Sequence, residues 1–283
     1  MKKKLLVVII TMVITFAYIF SFNDKAYFLA REQGYKALKV FASVKNSELM
    51  EDFLIYETEH FTIKYRERDE NIIRNVGRLL EESYDALNKE YSYEPEGKTA
   101  VYVYESQQQM WEYQNEVRGQ AVMGFYSMGD LHILSPNAYD ENKLNFVDFF
   151  EKHGPIMHEY MHKLADDITG GNIELWFTEG IALYEEYEKL GIEWAPDFDY
   201  EKLFSAEELR KNFMGIEETQ AYRQSFDAID ILIKEYGKTK LYETLILLGQ
   251  GYSLDKAFMA VYGFTADSFL DTQLAALLEA DTL

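Results

Sequence analysis

The alternation of apolar and polar residues predicts a chain whose first half mixes strands with helices. Three segments show the period of two that is typical of half-buried strands: 60–65, 99–104 and 131–134. Apolar side chains recur at helical spacing in two segments: 69–91 and 107–115. Gly124 and Gly129 indicate turns before the last strand, and Ser135-Pro136 ends it.

After position 145 the spacing of apolar residues becomes helical. Proline is tolerated in a first helical turn and glycine often follows a last one, so a helix is predicted from Pro155 to Gly170-Gly171. Another is expected from about Glu174 to Lys189, followed by a loop at 191–199 and two or three helices in 200–283. The pattern predicts an α+β fold with a small sheet in the N-terminal half and a helical C-terminal half.

The N-terminus has the pattern of a membrane anchor. Three lysines at 2–4 precede an apolar run at 5–22, which is close to the length of about 20 residues that spans a bilayer. A cleaved signal peptide is the alternative, but no small-x-small cleavage site follows convincingly. We therefore expect a cytoplasmic basic tail (1–4), one transmembrane signal anchor (5–22) and a juxtamembrane stalk (23–54), with the rest of the chain outside the cell.

Composition narrows the classes of function. The chain has no cysteine, which excludes disulfides and thiolate metal ligands and is compatible with a bacterial surface. Residues 1–45 contain eight of the 28 basic and two of the 49 acidic residues, so positions 46–283 carry a net charge near −27. Nucleic-acid binding is not expected, because it requires a basic surface. A preference for cationic substrates is conceivable, but solubility explains the charge as well. The oligomeric state is left open.

The candidate chemistry lies in the predicted helix after Pro155. His158 and His162 are four residues apart, so they lie on one helix face and can reach one metal ion. Glu159 completes the H-E-x-x-H arrangement of zinc-dependent peptidases, in which the glutamate is the general base for the water that zinc activates. Because a five-residue motif also occurs by chance, its context must support it.

A catalytic zinc normally takes three protein ligands, and without cysteine the third must be histidine, aspartate or glutamate. Glu179 is the best candidate, because it lies on the next predicted helix and the Gly170-Gly171 turn lets that helix fold back. The residues around it are apolar, and an unpaired carboxylate buried among them would be costly. Three other glutamates on that helix remain alternatives: Glu174, Glu185 and Glu186.

The segment Trp176-Phe177-Thr178-Glu179-Gly180-Ile181-Ala182 has the form Trp-x-x-Glu-Gly-x-Ala. Downstream of H-E-x-x-H, it resembles the third-ligand signature of the gluzincin peptidases, in particular the peptidase MA-like family. The resemblance covers roughly 56–275 and includes Ala221-Tyr222-Arg223-Gln224-Ser225 before a helix that ends at Tyr236-Gly237. One departure is that Glu179 follows His162 by 17 positions, slightly closer than in larger gluzincins.

The resemblance implies a zincin-like fold and further roles. It suggests that Tyr222 donates a hydrogen bond to the oxyanion, with His153 as the alternative donor. His60 and His132 are expected to be structural. It also suggests that the strand at 131–134 is the cleft's edge strand, which would pair with an extended substrate. The Gly-Met-Glu-Asn signature of related aminopeptidases is absent, which favours an endopeptidase.

Together these features predict a single-pass cell-membrane protein with an extracellular peptidase MA-like catalytic domain at 55–283. It would bind one Zn²⁺ through His158, His162 and Glu179, use Glu159 and Tyr222 in catalysis, and cleave peptides or proteins. Two alternatives stay open. One is a surface interaction module that keeps the fold without cleaving, and the other is a metal-dependent hydrolase of a non-peptide substrate.

Overall fold

The computed structural model describes residues 24–49, 52–114, 122–138, 150, 152 and 154–276. Within these ranges five strands form one mixed sheet: β1 (Leu54–Glu57), β2 (Phe61–Tyr65), β3 (Thr99–Tyr104), β4 (Gly124–Ser127) and β5 (Asp130–Leu134). Their order is β1-β2-β3-β5-β4, with β2, β3 and β5 parallel and both outer strands antiparallel to their neighbours. The three predicted strands are all present.

The prediction that 131–134 is the edge strand is wrong. That segment is β5, which lies between β3 and β4, and the edge strand is β4. The sequence pattern does not indicate β4, because this strand has only four residues and starts at Gly124, where a turn is predicted. Met128 and Gly129 then reverse the chain with φ of 50° and 99°, as in the two-residue hairpin turns that match strand twist.

The described part of the chain contains ten α-helices: α1 (Asp24–Leu49), α2 (Ile73–Tyr91), α3 (Gln107–Gln114), α4 (Ile156–Thr169), α5 (Leu175–Leu190), α6 (Ala206–Lys211), α7 (Glu218–Tyr236), α8 (Lys238–Gly249), α9 (Leu254–Val261) and α10 (Ala266–Ser268). The helices predicted after Pro155 and near Glu174 are confirmed. Five helices, rather than two or three, occupy the described residues after position 200, because α6, α9 and α10 are too short to show a clear period.

The sheet separates two apolar clusters. On one face, Ile63, Val101 and Ile133 pack with α2 and α4 in the main core. On the other, Tyr102, Tyr104 and Leu134 join a smaller cluster with residues of α3. Helix α4 also packs against α5, and α5 in turn packs against α7. The motif helix is therefore fixed between the sheet and the C-terminal helices. The fold is α+β, as predicted.

Within the described ranges, no helix is both long and apolar enough to cross a bilayer. The predicted anchor at 5–22 lies outside those ranges. Helix α1, in the predicted stalk, contacts the rest of the molecule: the buried Phe28 lies against Gly251, and Asn46 donates a hydrogen bond to Asp130 (2.8 Å).

A buried acidic side chain links α5 to α2 and α8. Glu185 is fully buried, and its Oε1 accepts hydrogen bonds from the Tyr91 hydroxyl at 2.6 Å and from Lys238 Nζ at 2.7 Å. Burial raises the pKa of Glu185, and the charge of Lys238 opposes that rise. Glu90 and Glu188 complete an acidic group around the same ammonium. Lys238, together with Lys189, offsets much of the negative charge of these three carboxylates.

Replacing Lys238 by alanine should therefore destabilise the protein by about 3 kcal/mol, because it removes the nearer cation of the buried Glu185 carboxylate and leaves only Lys189 Nζ, at 4.0 Å. Urea unfolding measures the change. The matched control is Lys240→Ala, whose partner is Glu243 and whose ion pair is exposed, the two side chains being 42% and 47% accessible. It should cost less than about 1 kcal/mol. Equal losses for both variants would refute a stabilising role of the buried pair.

Candidate metal centre

Two consecutive helices bring the predicted ligands together. Helix α4 ends at Gly170, whose φ of 60° lies in the left-handed region, and Gly171 follows with φ of 73°. This turn returns the chain so that α5 packs against α4. His158 and His162 project from α4 towards Glu179 on α5, as the spacing in the sequence predicted.

The side-chain atoms of these three residues converge on one point. The two Nε2 atoms of His158 and His162 are 3.1 Å apart. Glu179 Oε2 lies 3.3 Å from each of them. The same three residues form a possible ligand group for a metal ion. The separations are short enough for one ion to touch all three atoms.

The geometry fits zinc. Ligands at about 2.0–2.1 Å in a tetrahedron are about 3.3–3.4 Å apart, close to the separations observed here. Glu179 Oε2 is buried and has no hydrogen-bond partner of good geometry. An unpaired buried carboxylate oxygen is costly, and a cation between it and the imidazoles removes that cost. Two nitrogens and one carboxylate oxygen are also ligands that a catalytic zinc takes in proteins.

Polar neighbours hold the imidazoles in place. The Nδ1 atom of His162 lies 2.9 Å from the Thr178 hydroxyl, and His158 Nδ1 lies 3.7 Å from Glu186 Oε2. Contacts at Nδ1 leave both Nε2 atoms directed at the convergence point. Glu186, an alternative ligand in the sequence, therefore lies behind a histidine instead of beside Glu179.

Charge interactions among these residues shift their pKa values in the direction opposite to the effect of burial. Burial alone would raise the pKa of Glu179, but the nearby His162 and His158 imidazoles hold it well below its usual range. Burial would lower the pKa of His158, whereas Glu179, Glu186 and Glu159 raise it well above normal. The same negative charge would attract a metal cation.

Glu159 is buried beside the convergence point, between α4 and the edge strand. Burial raises the pKa of its carboxyl, the charges of His158 and His162 lower it, and a hydrogen bond with the Tyr126 backbone also lowers it. Glu159 does not join the three converging atoms. It is positioned to exchange a proton with a molecule bound there.

Tyr222 reaches the site from α7. Burial raises the pKa of its phenol, and the negative charge of the nearby Glu179 raises it further. The hydroxyl therefore remains protonated and can donate. Helix α7 approaches closely because position 180 is glycine: a Cβ on Gly180 would lie 2.3 Å from the Ser225 carbonyl oxygen.

A cleft surrounds these residues. Edge strand β4 forms one wall through Gly124, Phe125 and Tyr126, while α4, α5 and α7 form the rest. Asp166 also lines the cleft, one helical turn beyond His162, and accepts hydrogen bonds from the hydroxyls of Tyr126 at 2.5 Å and Tyr35 at 2.8 Å. Asp166 was not among the predicted site residues: its i+4 spacing from His162 places it on the ligand face, but its two partners come from distant parts of the chain.

The other histidines and glutamates considered from sequence lie elsewhere. His132 is buried on the opposite face of the sheet, where its Nδ1 lies 2.8 Å from the Tyr104 hydroxyl, and His60 pairs with Glu81. Neither belongs to the converging ligand group. Glu174 pairs with Arg210, and Glu185 belongs to the Lys238 cluster. His153 lies outside the described residues.

The model of the peptidase MA superfamily matches residues 85–280, more than half of the chain. The chain belongs to the peptidase MA superfamily. A comparison with curated protein sequences gives no match. The matched range includes all residues from α4 to α7 that line the cleft. Membership in this superfamily supports peptidase activity, and the superfamily is usually metal-dependent.

In this peptidase MA superfamily member, Gly180→Ala should destabilise the fold by about 3 kcal/mol, because the new Cβ would overlap backbone atoms at Ser225 that cannot move independently of α7. Urea unfolding measures the loss. Gly34→Ala on α1 is the matched control, since a Cβ there would meet nothing within 4 Å. That substitution should be neutral or slightly stabilising. A stable Gly180→Ala variant would contradict the close α5–α7 contact.

Proposed function

We propose that the chain is a zinc-dependent endopeptidase with a zincin-like catalytic domain at 55–283, anchored in the cell membrane by residues 5–22 and facing the cell exterior. The convergence of His158 Nε2, His162 Nε2 and Glu179 Oε2, within 3.1–3.3 Å of one another, is the observation that carries the zinc assignment. The apolar run after three lysines supports the anchor. The superfamily supports the peptide substrate.

His158, His162 and Glu179 would hold the ion, with one position left for water or substrate. Bound there, Zn²⁺ would lower the pKa of a water molecule towards about 7 and polarise the scissile carbonyl. Thr178 and Glu186 would keep the two imidazoles oriented through their Nδ1 atoms.

Glu159 would act as the general base. Its carboxylate accepts a proton from the attacking water and later donates it to the amine of the leaving group. The raised pKa of Glu159 suits both steps, because a carboxyl with a pKa nearer neutrality also serves as the acid. Tyr222 would donate its phenolic hydrogen to the oxyanion, which the protonated state of this buried phenol permits.

Edge strand β4 would hold the substrate. Within the described residues β4 pairs only with β5, so its other side can add an extended peptide by backbone hydrogen bonds. Gly124 and Tyr126 line the cleft, so a peptide paired there passes in front of Glu159. This assigns to β4 the role that the sequence had suggested for 131–134.

Glu159→Gln should lower peptide cleavage by at least about 10³-fold, because the amide cannot accept the proton. Its zinc content should stay near one ion per chain, since Glu159 is not a ligand. Hydrolysis of an unstructured protein such as casein measures the cleavage rate, and metal analysis measures the zinc content. Glu207→Gln on the exposed surface is the matched control and should behave like the parent. Undiminished cleavage by Glu159→Gln would rule out the mechanism.

Tyr222→Phe should lower kcat by about 10²-fold and leave KM nearly unchanged, because the hydroxyl acts on charge that develops in the transition state. Steady-state kinetics on one peptide substrate measures both constants. Tyr252→Phe provides a control outside the cleft. An increase in KM without loss of kcat would assign Tyr222 to substrate binding instead.

A further inference from the structure

Helix α1 presents polar side chains to the protein and apolar ones to its surroundings. Four side chains bond to the rest of the molecule: Arg31 to Asn172 (2.7 Å), Tyr35 to Asp166 (2.8 Å), Lys39 to Asp167 (3.0 Å) and Asn46 to Asp130 (2.8 Å). A helix on a water-soluble domain normally has the reverse arrangement, with its apolar stripe against the core. Apart from Phe28, which is buried near the start of α1, the polarity of the helix is therefore inverted from Arg31 to Asn46.

The opposite side of the helix, which we term the outer face, consists of Val40, Phe41 and Val44. Their exposed fractions are 65%, 68% and 54%. At 100° per residue, Val40, Phe41 and Val44 lie within one third of the helix circumference, and Ala37 extends the same surface. Contiguous exposed apolar side chains of this kind mark a surface that something covers.

The sequence before α1 indicates what covers it. Only Asn23 separates the apolar run at 5–22 from the first residue of α1. If that run crosses the bilayer, α1 starts at the membrane surface. Its inner side is already occupied by contacts with the protein, so only the outer face can turn towards lipid. Lys36, which pairs with Glu32, and Lys45 are exposed at its borders and suit anionic headgroups.

We propose that α1 lies flat on the bilayer, with Val40, Phe41 and Val44 inserted at the boundary between headgroups and acyl chains. The proposal rests on the membrane anchoring suggested above for residues 5–22, but not on catalysis. Amphipathic helices bind membranes in this way when an apolar face is bordered by basic residues. The acidic remainder of the chain would not be attracted to an anionic surface.

This placement restricts the substrate. Tyr35 and Lys39 on the inner side of α1 bond to Asp166, which lines the cleft together with Tyr126. One helix diameter, about 10 Å, would then separate this end of the cleft from the bilayer. The substrates best placed to reach the cleft are polypeptide segments that lie close to the outer membrane surface.

The chain has no cysteine, so single cysteines can report the position of each side chain. Phe41→Cys and Met214→Cys, an exposed position (83%) on the C-terminal half, would each be labelled with a fluorophore in the full chain. The proteins would be reconstituted in vesicles of phosphatidylcholine and phosphatidylglycerol. Nitroxide-bearing lipids then quench fluorophores that lie in the bilayer, and iodide quenches fluorophores that are exposed to water. Flotation of the vesicles measures separately whether the protein is anchored.

We expect nitroxide lipids to quench the label at position 41 at least about threefold more than the label at position 214, with the reverse order for iodide. Equal quenching of both labels in protein that floats with the vesicles would overturn the position of α1 while leaving the anchor intact. Protein that does not float would overturn both. Protection of the label at 41 from both quenchers, with disulfide-linked dimers of unlabelled Phe41→Cys, would assign the outer face to a second copy instead.

Discussion

The candidate site depends on a carboxylate buried between two imidazoles. Glu179 lies 3.3 Å from both Nε2 atoms, and its Oε2 is buried without a hydrogen bond of good geometry, so the stability of its charge depends on the two imidazoles and on any cation bound between them. The surrounding packing fixes this arrangement: α4 is held against the sheet, and Gly180 lets α7 approach α5 at the Ser225 carbonyl. The same contact brings Tyr222 beside Glu179.

Much of this centre could be predicted from local periodicity. The i, i+4 spacing of His158 and His162 determines a shared helix face, and the Gly170-Gly171 turn returns the next helix towards them, which is why Glu179 could be selected among four glutamates. Helices of ordinary length could also be predicted where a proline marks the first turn and a glycine follows the last one. These features depend on residues close together in sequence.

Features that depend on distant residues were not predictable. Strand β4 has four residues next to a glycine, and its position at the sheet edge follows from pairing with β5, which local patterning does not specify. Asp166 belongs to the cleft because Tyr126 and Tyr35 approach it from 40 and 131 positions away. The inversion of α1 likewise becomes visible only once its inner contacts are known, because the sequence does not show which side of this helix faces the protein.

The central claim is that His158, His162 and Glu179 bind zinc together. X-ray absorption at the zinc edge of the metal-loaded full chain tests it most directly, because imidazole rings give a distinctive scattering pattern. The account predicts one zinc per chain with two imidazole nitrogens and low-Z oxygen ligands at about 2.0–2.2 Å, four or five in all. A spectrum without imidazole scattering, or a chain that retains no zinc after desalting, would contradict it.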